Sequence, residues 1–123
     1  MYLQCSVLLV DDHSPSREML KEVLQSRGAQ VVGEARTTDD ALDKFEALQP
    51  DTVIIDICLP GSWDPLVAIR QMKRIDPTCV VLVTGTPSQN LTLMEALTMG
   101  AADFFMKPYH TRTVELCLQK NVC

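Results

Sequence analysis

Apolar residues along this chain follow two rhythms, and the two alternate from one end to the other. Short, nearly unbroken runs at Cys5 to Val10, Thr52 to Asp56 and Cys79 to Val83 have the length and β-branched content of strands covered on both faces. Between them lie longer stretches with apolar positions three and four apart: Met19, Leu20, Val23 and Leu24; Ala41, Leu42, Phe45 and Leu48; Leu66, Ile69, Met72 and Ile75. That is helical spacing. Two weaker runs, Gln30 to Ala35 and Asp103 to Met106, complete the strands. Gly33 and Glu34 in the former suggest a sheet edge. A helix from Ser88 to Met99 and a short last one around Val114, Cys117 and Leu118 complete the helices.

Local punctuation agrees with these boundaries. Ser14-Pro15 reads as an N-cap followed by proline at the first helical position, and Gly28 closes that helix. Thr38 is expected to cap the second helix, which stops at Pro50. Pro60-Gly61 marks a turn, Asp64-Pro65 starts the third helix, and Pro77 follows its end. Ser88 is expected to cap the fourth helix, with Gly100 ending it. Five strands alternating with five helices predict an α/β fold, an open doubly wound parallel sheet with helices on both faces through right-handed crossovers. At 123 residues the whole chain, 1–123, is expected to be one domain, without repeat, linker or low-complexity segment.

Composition narrows the function classes. A net charge of -5 and a pI near 4.8 argue against a nucleic-acid surface, which needs a basic patch. No apolar stretch approaches the roughly 20 residues that span a membrane, and Met1 to Ser6 does not read as a signal peptide. Five cysteines, Cys5, Cys58, Cys79, Cys117 and Cys123, are odd in number and lack metal-ligand spacing. They are expected to be reduced thiols in a cytoplasmic protein.

Candidate chemistry gathers at the strand ends. In an open parallel sheet the ligand crevice lies outside the carboxyl ends of the strands. Four of the five strands end there on a polar group: Asp11-Asp12, Asp56, Thr84 and Lys107. Each alone has an ordinary reading. Asp56 could cap the following turn, Asp11-Asp12 could cap the next helix, Thr84 could cap a turn, and Lys107 could be a solvated surface lysine. Together they place three carboxylates, a hydroxyl and an ammonium in one crevice. Clustered carboxylates repel unless a cation compensates. Hard oxygen donors with open positions suit Mg²⁺, which commonly bridges to phosphate. The set therefore points to phosphoryl transfer through an Asp oxygen.

These motifs in combination resemble the receiver domains of bacterial two-component response regulators, in the single-domain chemotaxis style. The resemblance runs from Val7 through Leu118: the acidic pair Asp11-Asp12, Asp56 ending the third strand, Leu59-Pro60 beyond it, Thr84 ending the fourth, and Gly100-Ala101 leading to Lys107-Pro108. It implies a flavodoxin-like strand order of 2-1-3-4-5 and a signalling domain that catalyses only its own phosphorylation and dephosphorylation. Asp56 would be the phosphoacceptor, charged from a sensor histidine kinase or a phosphotransfer protein. Asp12 and Asp56 would ligate Mg²⁺ directly, Asp11 through water, and the backbone carbonyl of Cys58 would be a further ligand. Lys107 would pair with phosphoryl oxygens across a cis bond to Pro108. Thr84 and Phe104 would form the switch, driving a downstream target through the face of the fourth helix, fifth strand and fifth helix.

Three positions depart from the family pattern. The loop after Leu59-Pro60 is one residue longer than is usual, with Pro65 where glycine is common. Phe104 stands where tyrosine is common and carries no hydroxyl. Cys58 overhangs the site, where acidic surroundings disfavour a thiolate. Because the fourth helix carries Glu95 as its only charge, Arg112, Glu115 and Lys120 have few partners for cross-subunit ion pairs, and a monomer is expected. Rival readings fit less well. A haloacid-dehalogenase phosphatase wants a second Asp where Cys58 stands. A flavodoxin's phosphate loop would not carry Asp11-Asp12. A nucleotide hydrolase needs a Gly-x-x-x-x-Gly-Lys loop, which is missing. A degenerate receiver would have lost part of the set of Asp, Thr and Lys.

Overall fold

The computed structural model describes residues 4–122, so the thiol expected at Cys123 and the reading of Met1 to Leu3 lie outside the described residues. Strands β1 (Ser6–Val10), β2 (Gln30–Ala35), β3 (Thr52–Asp56), β4 (Val80–Gly85) and β5 (Asp103–Met106) alternate with helices α1 (Ser14–Ser26), α2 (Thr38–Leu48), α3 (Pro65–Ile75), α4 (Asn90–Thr98) and α5 (Thr111–Asn121). All pairings are parallel and the strand order is β2-β1-β3-β4-β5. The doubly wound sheet expected from the pattern is present, with β2 at one edge.

The unbroken apolar runs are explained by where alternate residues go. Leu8, Val10, Val53, Ile55, Val81 and Val83 face one way, into a core completed by α2, α3 and α4. Val7, Leu9, Ile54, Leu82 and Phe105 face the other, against α1 and α5. Side chains of a strand point alternately to opposite faces, so a strand covered twice has no polar position to spare. Burying a Leu, Ile or Val side chain stabilises by about 1.5–3 kcal/mol. These central strands anchor everything placed at their ends.

Helix starts differ from the expected caps at three points. His13, not Ser14, is the N-cap of α1, with Ser14 and Pro15 inside the first turn. For α2 the cap is Thr37, whose hydroxyl accepts from the backbone N–H of Asp40 at 3.1 Å. Thr38 is fully buried instead. Its hydroxyl accepts from Trp63 N–H at 3.1 Å and donates to the Trp63 carbonyl at 3.0 Å. Ser88 lies in a short 3-10 turn, Pro87–Gln89, that precedes α4. There the Gln89 side chain accepts from Thr86 N–H at 2.9 Å. A hydroxyl beside a helix start can serve a neighbouring loop as readily as the helix, and spacing alone did not distinguish the two.

The loop between β3 and α3 is thus clasped to the start of α2. Thr38 N–H also donates to the Pro60 carbonyl at 3.0 Å, and Ser62 N–H to Asp39 Oδ2 at 2.9 Å. Gly61 sits in this clasp at φ 133°, and a Cβ there would lie 2.3 Å from the Thr38 hydroxyl. Asp64 caps α3 through the Leu66 N–H at 2.8 Å, with Pro65 following it. Pro65 is thereby accommodated as the first residue of α3.

Candidate functional site

Four neighbouring strands bring their polar ends to one level. Asp11 follows β1, Asp56 is the last residue of β3, Thr84 stands opposite Asp56 in the β3–β4 register, and Lys107 follows β5. Asp11 is 3% exposed, Asp56 5% and Thr84 1%.

The two buried carboxylates are held alike. Asp11 Oδ1 accepts from the backbone N–H of His13 at 2.8 Å, and Asp56 Oδ1 from that of Cys58 at 2.7 Å. Both aspartates therefore do cap the turn that follows, with one oxygen each. The second oxygen of each meets Lys107: its Nζ lies 3.0 Å from Asp11 Oδ2 and donates to Asp56 Oδ2. Burial lowers the ammonium pKa, but the bonds to Asp56 and Asp11 outweigh it and the net shift is upward. Lys107 is a fixed cation between two anions. The Lys107–Pro108 bond is cis.

Asp12 adds a third carboxylate, exposed to solvent, and oxygens of Asp11, Asp12 and Asp56 lie within 4.8 Å of one another. Three carboxylates against one ammonium leave the crevice negative. A set of hard oxygens open to water on the Asp12 side fits a divalent cation such as Mg²⁺. Cys58 follows at the rim, its side chain exposed and its thiol free. Buried Cys79 and Cys117 have thiols pushed up by desolvation to about 11 and about 12. Phe104, on β5, is half-buried against the core beneath α4.

Two contributors were not singled out from the sequence. Arg17 is buried, and its Nη1 donates to the Asp11 carbonyl at 2.6 Å while Nε pairs with Glu34 Oε1 at 3.1 Å. It therefore fixes the acidic turn from beneath. The signal was its place three residues before Leu20, on the buried stripe of α1, where a charge needs a partner. Tyr109 packs its ring edge-on against Phe105, with centroids 5.3 Å apart. Lys107 Nζ lies 6.0 Å from the centre of the same ring. The Tyr109 hydroxyl is buried, and burial pushes it up to about 12 against the opposing influence of the Thr84 hydroxyl and Lys107. Among the described residues neither the Tyr109 nor the Thr84 hydroxyl completes a hydrogen bond. Beside them a groove of about 740 Å³ opens between the start of α1 and the turns after β4 and β5.

Comparison with known proteins identifies the family to which this fold and this cluster of strand-end residues belong. Residues 7–119 match the model of the response regulator receiver domain, and the chain belongs to that family. It is 36% identical over 114 residues to the chemotaxis protein CheY of Thermotoga maritima, covering 93% of this chain and 94% of that one. To CheY of Bacillus subtilis it is 31% identical, covering 94% and 96%. Among solved structures, NtrX from Brucella abortus superposes with a TM-score of 0.88 at 26% identity, over 99% of this chain and 27% of that longer one. The protein is thus a CheY-like receiver domain of a two-component response regulator. Its described residues include no helix long and apolar enough to cross a membrane.

Proposed function

We propose that this receiver, read as one domain over residues 1–123, accepts a phosphoryl group on Asp56 from the phosphohistidine of a sensor histidine kinase or phosphotransfer protein. An Asp56 oxygen attacks phosphorus as the bond to the imidazole nitrogen breaks, and the departing imidazole takes up a proton. The observation that carries this reading is the Lys107 bridge. One half-buried ammonium joins carboxylates at the ends of two different strands, in a crevice that also holds an unsatisfied hydroxyl from a third. Structural ion pairs seldom sit over so many unused donors and acceptors.

The residues take distinct roles. Asp56 is the nucleophile, presented by a rigid strand and oriented by the Cys58 N–H. Lys107 is placed to transfer its bond from the Asp56 oxygen to a phosphoryl oxygen, which keeps the ammonium paired throughout. Asp12 and Asp56, with Asp11 through water and the Cys58 backbone carbonyl, would hold Mg²⁺. When bound, the ion supplies charge neutralisation for the incoming phosphoryl group. Thr84 donates to a phosphoryl oxygen and thereby turns, and Phe104 follows it within the half-buried space under α4. These two residues form the bistable element that the phosphoryl group biases.

The output is read on α4, β5 and α5. Helix α4 buries Leu93 and Ala96 but leaves Leu91 76% and Met94 53% exposed. An apolar, methionine-containing surface with one charge suits contact with a different protein. On α5, Glu115 is already paired with Arg27, the residue that follows α1, so it is not free to pair with a second subunit. The domain acts as a cytoplasmic monomer, binding neither nucleic acid nor membrane itself. The reading is tested by incubating the protein with acetyl phosphate. Labelling should require a divalent metal and be lost on chelation, and Thr84→Ala should accept the label yet leave the Phe104 environment unchanged. Labelling that persists undiminished in chelator would count against it.

A further inference from the structure

Asp12 is the one carboxylate of the acidic cluster with nothing of its own to hold it. Asp11 and Asp56 each give one oxygen to a backbone N–H and the other to Lys107. The Asp12 side chain is exposed and takes part in no hydrogen bond or ion pair among the described residues. Its place beside the other two carboxylates is therefore set by the backbone that carries it. The Asp11 carbonyl and the Asp12 N–H belong to one planar peptide unit, and Arg17 holds that unit from beneath. Arg17 is 9% exposed, and its Nη1 donates to the Asp11 carbonyl at 2.6 Å. The guanidinium is itself fixed. Nη2 donates to the Ser14 hydroxyl at 3.1 Å and Nε pairs with Glu34 Oε1 at 3.1 Å, while Lys21 holds the other Glu34 oxygen at 3.2 Å. On the near side of the turn, Asp11 N–H donates to the carbonyl of Ala35, the next residue after Glu34, at 3.0 Å.

We propose that Arg17 is the positioning residue for Asp12, orienting the peptide between Asp11 and Asp12 so that the Asp12 carboxylate meets a divalent cation in the crevice. The inference rests on the reading of Asp12 as a metal ligand above. A rigid fork of donors satisfies three acceptors in one geometry, the Asp11 carbonyl, Ser14 and Glu34. An ammonium on a flexible stem does not. Groups that orient metal ligands from outside the coordination sphere commonly govern affinity. Two effects of Arg17 on the ion have opposite signs. As a buried cation it repels the ion, and its removal leaves Glu34 less compensated and the surroundings more negative. As an orienting group it strengthens binding. The second effect dominates here, because Asp12 has no other support, so losing Arg17 weakens the site in spite of the more favourable charge.

The test is a Mg²⁺ titration of wild type, Arg17→Lys, Arg17→Met and Lys21→Met, followed by backbone amide NMR shifts, with folding checked by circular dichroism. Arg17→Lys keeps the charge and loses the fork. It should weaken Mg²⁺ binding about tenfold, and Arg17→Met at least as much; if the methionine variant does not fold, the lysine variant decides alone. In the metal-free protein the Asp12 amide resonance should move in Arg17→Lys, because that N–H shares its peptide with the Asp11 carbonyl. Lys21→Met removes an ion pair from Glu34 without touching the acidic turn, and it should bind Mg²⁺ as wild type does. Weakening by Lys21→Met equal to that by Arg17→Lys would make the effect one of the ion-pair network and overturn the inference. A folded Arg17→Lys that binds Mg²⁺ as tightly as wild type, or more tightly, would overturn it too, while leaving Asp12 a ligand. An Asp12→Ala protein that titrates like wild type would overturn the reading of Asp12 and this inference with it.

Discussion

Asp11 and Asp56 stand at the ends of adjacent strands, and each bends its chain in the same way. One carboxylate oxygen takes the N–H two residues on, at 2.8 Å and 2.7 Å respectively, and the other faces Lys107. Because each aspartate is fixed by its own turn, the separation of the two anions is set by the backbone. Lys107 is what makes that separation tolerable at 3% and 5% exposure.

Removing that cation should therefore show in stability. Lys107→Met leaves two buried carboxylates facing each other, and breaking a buried pair costs about 3–5 kcal/mol; access of water beside Asp12 reduces this to about 2 kcal/mol. Urea unfolding at neutral pH should show the loss, and millimolar Mg²⁺ should restore part of it by replacing the missing cation. In the wild type the Lys107 contribution is fully present below its ordinary value of 10.5 and is lost only as pH rises through the higher folded value. A variant as stable as wild type without metal would contradict this account of the pair.

Glu34 carries a second electrostatic prediction. It is desolvated by burial, yet its pKa is lowered because hydrogen bonds from Lys21 and Arg17 outweigh that penalty. Its stabilisation is present above the ordinary 4.5 and fades as pH falls through the lowered folded value. Glu34→Gln should cost about 1 kcal/mol at pH 7, the lower end for a charged hydrogen bond, with the gap to wild type closing under acid. Since Arg17 also holds the Asp11 carbonyl, the variant should bind Mg²⁺ more weakly. Thermal melts and a metal titration check both.

The strand runs, the layer order and the four polar strand ends were all legible in the sequence, because a doubly covered strand is apolar through its middle and turns polar only at its ends. Caps were less legible. Thr37 and Thr38 are adjacent and chemically alike, and only the path of a loop 25 residues away decides that Thr38 bonds Trp63 while Thr37 takes the helix. Arg17 and Tyr109 were missed for a related reason. A charge on a buried stripe and a ring after Lys-Pro acquire their roles from groups on other elements. For Cys58, nothing in its spacing shows where its carbonyl points.

Trp63 offers a probe for the metal. The only tryptophan, it is 41% exposed in the loop clasped to Thr38 and Asp39. Mg²⁺ binding should change its fluorescence, and Asp12→Ala should abolish the change at millimolar metal. A titration of Asp12→Ala that matches wild type would remove Asp12 from the ligand set.

The output face predicts an oligomeric state. With Glu115 engaged by Arg27 and Lys120 no closer than 4.0 Å to Asp103, the ion pairs available on α5 stay within the chain, and α4 offers only Glu95. Light scattering before and after beryllofluoride treatment should give one monomeric mass. A shift to a dimer that Arg112→Ala abolishes would show that cross-subunit ion pairs form after all.

The most direct test of the whole account is intact mass after exposure to acetyl phosphate and Mg²⁺. Wild type should gain the mass of a single phosphoryl group, labile to both acid and base as an acyl phosphate is, and Asp56→Asn should gain nothing at that position. An Asp56→Asn protein labelled to the same extent as wild type would contradict the assignment of the phosphoacceptor.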